Sequence, residues 1–139
     1  MKKTYLFTLL FVILALVSAC APKEAATSGE TVLTVNDKSY TQADLEALGT
    51  TSADYTDKDG NTTTYQGVLL STLLSDAGAG TGTDVTFAAS DGYEASLTVD
   101  EAMACPNCIV GFDNGSLRTV MPEMSGKVQV KDLISITTN

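Results

Sequence analysis

The chain has 139 residues, a length that allows one domain and leaves little room for a second. It contains no histidine and no tryptophan, which excludes histidine-based acid–base catalysis, histidine metal sites and Ser-His-Asp chemistry. Eight Lys and Arg residues against 17 Asp and Glu residues give a net charge of −9. That charge argues against nucleic acid as a partner, because a phosphate backbone needs a basic surface.

The first residues have the composition of an export signal. Two lysines precede an almost wholly apolar run over residues 5–17, which is shorter than the ~20 residues of a membrane-spanning helix. The run ends in Leu16-Val17-Ser18-Ala19-Cys20, which resembles the bacterial lipobox, where cleavage falls before a cysteine that then carries lipid. We therefore predict a signal peptide over residues 1–19 and lipidation of Cys20. The alternative is an ordinary signal followed by an unrelated cysteine.

The residues after Cys20 predict a tether and then a single folded part. Residues 21–30 are small and polar without periodicity, so residues 20–30 are interpreted as the lipidated cysteine and a flexible tether. Residues 31–139 form the predicted domain. This organisation predicts a lipid-anchored protein on the extracytoplasmic face of the cell membrane, with the membrane as one partner.

The domain opens with strand and hairpin signals. Thr31–Val35 alternates and is β-branched, which predicts a strand, and Ser39-Tyr40 is expected to pair back to it. Thr41 and Asp44 have the spacing of a capping box and predict the start of a short helix. Residues 50–65 surround a turn-rich centre and predict a hairpin.

The rest of the chain predicts one longer helix and several further strands. Leucines at helical spacing predict a helix over residues 68–77, and a helical turn is expected over residues 100–104. The predicted strands are Asp84–Ala89, residues 93–99, 108–112 and 117–121, and a closing strand over residues 128–137 with a break near Asp132. Because hairpins outnumber crossovers, the fold class predicted is α+β with mixed sheets and short helices.

Four motifs in order resemble the oxidoreductase molybdopterin-binding domain of the sulfite oxidase family. They are Tyr65-Gln66-Gly67-Val68-Leu69-Leu70, Ser90-Asp91-Gly92-Tyr93, Gly115-Ser116-Leu117-Arg118-Thr119-Val120-Met121-Pro122 and Val130-Lys131 with Ile134-Ser135-Ile136. The resemblance covers nearly all of residues 31–139 and implies a β-grasp-like element in the fold. It makes Tyr65, Gly67, Val68 and Arg118 the candidate residues for contact with a molybdopterin cofactor.

The sequence departs from that family at the metal ligand. Catalytic members place a molybdenum-binding cysteine before the aromatic-Gly-Val motif, whereas here only Cys20 precedes Tyr65. The cofactor phosphate also needs several cationic contacts, which an acidic chain supplies poorly. The expected function is therefore a non-catalytic binding or accessory module without cofactor or metal, whose partner is a protein or a small anionic ligand. The alternative is an oxidoreductase domain that still binds molybdopterin.

Individual residues leave further alternatives open. Arg118 is expected to pair with a nearby carboxylate, or else to bind an anion, and the helix start at Val68 is a second candidate anion site. Cys105 and Cys108 are interpreted as a structural disulfide, as a thiol–disulfide or electron-transfer pair, or as a contact to a metal or cofactor. A haem, flavin or organic anion in place of the pterin is a third possibility, with haem ligands sought among Met103, Met121 and Met124.

Overall fold

The computed structural model describes residues 29–139, so the predicted signal peptide, Cys20 and most of the tether lie outside the described residues. No helix of the described part is long and apolar enough to cross a membrane. The elements in chain order are β1 Thr31–Val35, β2 Lys38–Thr41, α1 Gln42–Ala47, β3 Thr51–Thr56, β4 Thr62–Leu69, α2 Leu70–Asp76, β5 Asp84–Ala89, β6 Glu94–Thr98, α3 Val99–Ala104, β7 Ile109–Asp113, β8 Ser116–Val120, a 3-10 helix Gly126–Val128 and β9 Leu133–Thr138.

Five strands form a mixed sheet in the spatial order β2-β1-β9-β5-β6. The last strand of the chain, β9, lies in the middle, parallel to β1 and antiparallel to β5. The two hairpins β1–β2 and β5–β6 flank it on either side. This arrangement is the predicted β-grasp-like element, and it confirms the predicted α+β class with mixed sheets and short helices.

The other four strands form a fully antiparallel sheet in the order β3-β4-β7-β8. This sheet is strongly curled, because its two outer strands, β3 and β8, approach each other without pairing. Its concave side holds a small apolar cluster of Ala53, Ile109 and Val120. Its convex side faces the main core, to which it contributes Val68, Val110 and Leu117.

The backbone after β8 joins the two sheets. The N–H of buried Thr119 donates to the carbonyl of Val130 at 2.9 Å, and the Thr119 hydroxyl donates to the carbonyl of Val128. The same hydroxyl accepts from the N–H of Val130 at 2.7 Å. The segment that leads into β9 is therefore held against the outer edge of β8 by the N–H and the hydroxyl of Thr119.

Local sequence signals explain the short helices. At α1, the Thr41 side chain accepts from the Asp44 N–H while the Asp44 carboxylate accepts from the Thr41 N–H, which is the predicted capping box. Thr98 and Glu101 form a second capping box at the start of α3. Each box satisfies N–H groups that a helix start leaves without partners, so helices of six residues are stable in this context.

The predicted helix over residues 68–77 was wrong at its start. The helix begins at Leu70, because Val68 and Leu69 continue β4 and pair with Val110 and Ile109 of β7. The leucine spacing alone could not reveal this, since a strand residue just before a helix is as apolar as the helix itself. The anion site expected at a helix start at Val68 is therefore contradicted, as Val68 is a fully buried strand residue.

The closing strand is also shorter than the predicted span over residues 128–137. The 3-10 helix ends at Val128, and Asp132 has a left-handed backbone (φ +50°) that interrupts extended structure where the break was expected. The strand itself covers Leu133–Thr138. The sequence pattern located the break but could not show that the part before it is mainly 3-10 and irregular.

Asp76, at the end of α2, ties that helix to the edge strand β2. Its Oδ2 accepts from Lys38 Nζ at 2.6 Å and from Tyr40 Oη at 2.7 Å. The hydrogen bond from Lys38 and then that from Tyr40 lower the pKa of Asp76 below its ordinary value. Burial, followed by the hydrogen bond to Asp76, raises the pKa of Tyr40 to about 12. Lys38 and Tyr40 thus favour the ionised form of the Asp76 carboxyl group.

We expect Asp76→Asn to lower the free energy of unfolding at neutral pH. We also expect the substitution to reduce the loss of that free energy as the pH falls. A carboxyl with a lowered pKa in the folded state stabilises the fold above its ordinary pKa, and that contribution is lost as the pH falls through the lowered value. Urea unfolding followed by circular dichroism at pH 7 and at about pH 3 measures both effects.

Glu123→Gln is the matched control, because Glu123 is exposed and makes no hydrogen bond or ion pair in the described part. It should leave the unfolding midpoint and its pH dependence unchanged. An Asp76→Asn chain that loses as much stability in acid as the wild type does would contradict the assignment.

Candidate functional site

The curled sheet brings together three of the four residues predicted to contact a cofactor. Tyr65 and Gly67 lie on β4, and Arg118 lies on β8. Their register places all three side-chain positions on the concave side of the sheet, whereas Val68 lies on the opposite side in the main core. We refer to the concave cluster of Tyr55, Tyr65, Asp113 and Arg118 as the arginine cluster.

Arg118 is the most buried charged side chain of the described part, with 3% of its surface exposed. Its Nη1 donates to Tyr65 Oη at 2.8 Å and lies 3.6 Å from Asp113 Oδ2. The guanidinium carbon is 4.6 Å from the ring centroid of Tyr65 and 5.1 Å from that of Tyr55. Two aromatic faces and one carboxylate therefore surround the positive charge, which compensates for part of its lost hydration.

Two glycines make room for this arrangement. A Cβ at Gly67 would overlap the backbone carbonyl of Val110, so β4 and β7 approach more closely there than any side chain allows. A Cβ at Gly111 would lie 3.3 Å from Tyr65 Cβ and 3.2 Å from Val120 Cγ2. The Gly67 of the predicted motif thus permits the close approach of β4 and β7.

One donor of the arginine cluster has no partner. Arg118 Nε is buried and makes no hydrogen bond within the described residues. A buried donor without an acceptor costs about 1–3 kcal/mol of stability. The contacts of the guanidinium with the two tyrosine rings, with the Tyr65 hydroxyl and with Asp113 therefore have to offset the cost of the unpartnered Nε. The tyrosines and the sheet cover Arg118, which leaves it little access to a ligand from outside.

Cys105 and Cys108 are joined by a disulfide, with sulfur atoms 2.03 Å apart. The bridge spans the short segment between the end of α3 and the start of β7. Cys105 is half-buried and Cys108 is fully buried, while Pro106 and Asn107 between them are exposed. The Cys108 carbonyl accepts from the Leu70 N–H at 2.9 Å, so the bridged segment also fixes the start of α2.

Two clefts of the described part are lined by residues outside the arginine cluster. One, of about 290 Å³, is lined by Ser52, Ala53, Asp54, Asn107 and Pro122, and we call it the β3 cleft. The other, of about 300 Å³, lies where the described chain begins, and Glu30, Ser116, Asp132 and Ile134 are among its lining residues. Within residues 29–139, no three carboxylate or cysteine side chains are grouped as a metal site would require.

Sequence reasoning missed Tyr55, Asp113 and Thr119. Tyr55 lies within the hairpin predicted over residues 50–65, and its alternation with Ala53 was the available signal for a shared face. Asp113 lies just beyond the strand predicted over residues 108–112, at the end of β7. No local signal marks Thr119, whose hydroxyl is satisfied only by backbone groups nine and eleven residues later.

Comparison with known proteins shows a similarity of fold to a solved structure. No protein-family model and no curated protein matches the sequence. Among solved structures, the fold is similar to the sulfane dehydrogenase SoxCD from Paracoccus pantotrophus, with a TM-score of 0.57 and 19% sequence identity over 78% of this chain. The match covers 36% of that structure's chain, so this protein corresponds to about a third of it. The predicted relationship to the sulfite oxidase family is thus supported at the level of the fold.

The described side chains do not fit a molybdopterin group. The metal of the resembled family is bound by a cysteine thiolate, whereas Cys105 and Cys108 are bonded to each other. The cofactor phosphate needs accessible cations, whereas Arg118 is enclosed by two tyrosines. Neither the two bridged cysteines nor the enclosed arginine therefore offers an accessible donor to the metal or to the phosphate.

We expect Tyr65→Phe to destabilise the fold by about 1–3 kcal/mol, because it removes the acceptor of Arg118 Nη1 and leaves a second buried guanidinium donor without a partner. Urea unfolding followed by circular dichroism measures the change. The matched control is Tyr93→Phe, since Tyr93 is 45% exposed and its hydroxyl donates to the Lys127 carbonyl at the surface.

The control should change stability by no more than about 0.5 kcal/mol. Equal effects of the two phenylalanine substitutions would show that the arginine cluster does not depend on the Tyr65 hydroxyl.

Proposed function

We propose that this protein is an extracytoplasmic lipoprotein, held at the membrane through Cys20, whose folded part is a reduced molybdopterin-binding-like domain. In this proposal the domain is a non-catalytic binding or accessory module. The proposal is supported by the lipobox-like sequence, by the likeness of fold to sulfane dehydrogenase SoxCD, and by the chemistry of the described side chains. A fold hosts many functions, so the side chains carry the argument.

The observation that carries the non-catalytic role is the state of the reactive groups. Cys105 and Cys108 bind each other, and Arg118 is bound by Tyr65 and Asp113 inside a curled sheet. The two cysteines and the arginine, which the resemblance would make candidates for binding the cofactor, are thus engaged within the protein itself. From Gly29 to Asn139, sixteen acidic residues stand against five cationic ones, which disfavours an anionic ligand and favours a protein partner.

The cofactor is tested by metal analysis. The full chain is expressed in a host that synthesises molybdopterin, beside a known molybdopterin enzyme as a positive control, and molybdenum is measured by mass spectrometry. We expect molybdenum far below one atom per chain for this protein and close to one per chain for the control. Stoichiometric molybdenum would overturn the non-catalytic proposal, because it would show that a donor set exists.

The anchor is tested by substitution of the lipidated cysteine. Cys20→Ser should move the chain from the membrane fraction to the soluble fraction and abolish labelling by a radioactive fatty acid, because the serine hydroxyl cannot form the thioether. The matched control is Cys105→Ser combined with Cys108→Ser, which removes the other two thiols of the chain and should leave both readouts unchanged. Fatty-acid labelling that persists in Cys20→Ser would contradict the anchor.

The thiol–disulfide alternative has weaker support from the surroundings of the pair. In an exchange reaction, a partner thiolate would attack the half-buried Cys105 sulfur, and Cys108 would leave as a thiolate that carries the electron pair of the broken bond. Cys108 is fully buried in the apolar core, where a thiolate loses its hydration. The bridge is better suited to fixing the segment between α3 and β7.

A further inference from the structure

We propose that the free edge of β3, together with the β3 cleft, binds an extended peptide segment of a partner protein by strand addition. The segment would place a basic side chain opposite Asp54 and a small apolar side chain opposite Ala53. The inference rests on the proposed accessory role. It assigns a chemical class to the partner of that role. It follows from the hydrogen-bonding pattern of the edge, the lining of the cleft and the charge beside it.

The backbone groups along this edge are available. The Asp57 N–H donates to the Asn61 carbonyl at 2.9 Å, which identifies a hydrogen-bonded pair in the β3–β4 hairpin. Because such pairs alternate in an antiparallel ladder, the N–H and C=O groups of Ser52, Asp54 and Thr56 point away from β4. No other backbone segment of the described part bonds to them.

The opposite edge of the same sheet is already occupied. The Thr119 N–H donates to the Val130 carbonyl, and the Gln129 side chain bonds both the N–H and the carbonyl of Met121, at 3.0 Å and 2.6 Å. β3 and β8 approach each other without pairing, so the curled sheet does not close into a barrel. The β3 edge is thus the side of this sheet at which a further strand can be added.

The β3 cleft lies directly along this free edge. Ser52, Ala53 and Asp54 form one wall, while Asn107 of the disulfide-bridged segment and Pro122 after β8 stand on the other. A strand added in the cleft would bond to the outward backbone groups, and its alternate side chains would point to the two sides of the sheet.

The side chains beside the edge select the occupant. Asp54 is exposed on the convex side and favours a basic residue opposite it, since opposite charges stabilise a cross-strand pair. Ala53 belongs to the apolar concave cluster with Ile109 and Val120, which favours a small apolar residue on that side. A second copy of this chain is disfavoured, because antiparallel pairing of two β3 strands centred on residue 54 would set Asp54 against itself.

The test uses the full chain and a defined peptide, acetyl-Thr-Val-Lys-Ala-Lys-Val-Thr-amide. Titration followed by two-dimensional NMR should shift the backbone amides of Ser52, Asp54 and Thr56. The same peptide with both lysines replaced by glutamate should bind about fivefold more weakly or worse, from the change in cross-strand charge pairing. A lysine peptide N-methylated at alternate residues should not bind, because it cannot donate to the edge.

Protein variants supply the second arm. Asp54→Lys should reverse the preference so that the glutamate peptide binds more tightly, while Glu94→Lys, the same charge change on an exposed strand residue of the other sheet, should preserve it. Equal binding of the two peptides to the wild-type chain, or shifts confined to β2 or β6, would overturn the proposal. So would self-association of the chain accompanied by shifts at β3. If Asp54→Lys does not fold, the comparison of the lysine peptide with its N-methylated form on the wild-type chain still tests the proposal.

Failure of the peptide-binding proposal can be distinguished from failure of the proposed function. A membrane-bound chain without molybdenum that fails to bind the lysine peptide would remove this docking site and leave the accessory role in place. A chain that contains stoichiometric molybdenum and still binds the peptide would remove the non-catalytic role and leave the docking site.

Discussion

The structure depends on the insertion of the last strand, β9, between β1 and β5. Without it, the five-stranded sheet would consist of two separate hairpins, each too small to be stable alone. Its Ile136 is fully buried and pairs with Phe87 on one side and Val35 on the other. The segment before β9 also bonds to β8 through Thr119, so the strand that completes one sheet is connected to the edge of the other.

The second sheet encloses a charged side chain on its concave side. β4 and β7 approach closely at Gly67, and the concave side of the sheet holds the Arg118 guanidinium between two tyrosines. Arg118 there contributes to internal order, at the expense of an unpaired Nε. The disulfide at the start of β7 likewise uses two thiols to fix a connection. Under the proposed accessory role, these side chains belong to a scaffold.

Charge and edge exposure together describe how such a scaffold would meet a partner. The acidic surface repels anions and attracts basic segments, and the sheet closes at β8 while it stays open at β3. Natural proteins protect long free edges with charges or bulges. Asp54 on β3 is such a charge, and in the proposed docking mode it disfavours a like copy and favours a strand of opposite charge. One residue can thus serve protection and recognition.

Much of the fold was determined by the sequence alone, because its signals are local. The capping box of Thr41 and Asp44, the alternation of Thr31–Val35 and Asp84–Ala89, and the turn at Asn114-Gly115 depend on hydrogen bonds and side-chain periods within a few residues. Only the tertiary structure decided that Val68 belongs to a strand, that Arg118 is enclosed by Tyr55 and Tyr65, and that β9 lies at the centre of its sheet. Those features arise from pairing between segments far apart in the chain, and such pairing leaves no mark on either segment by itself.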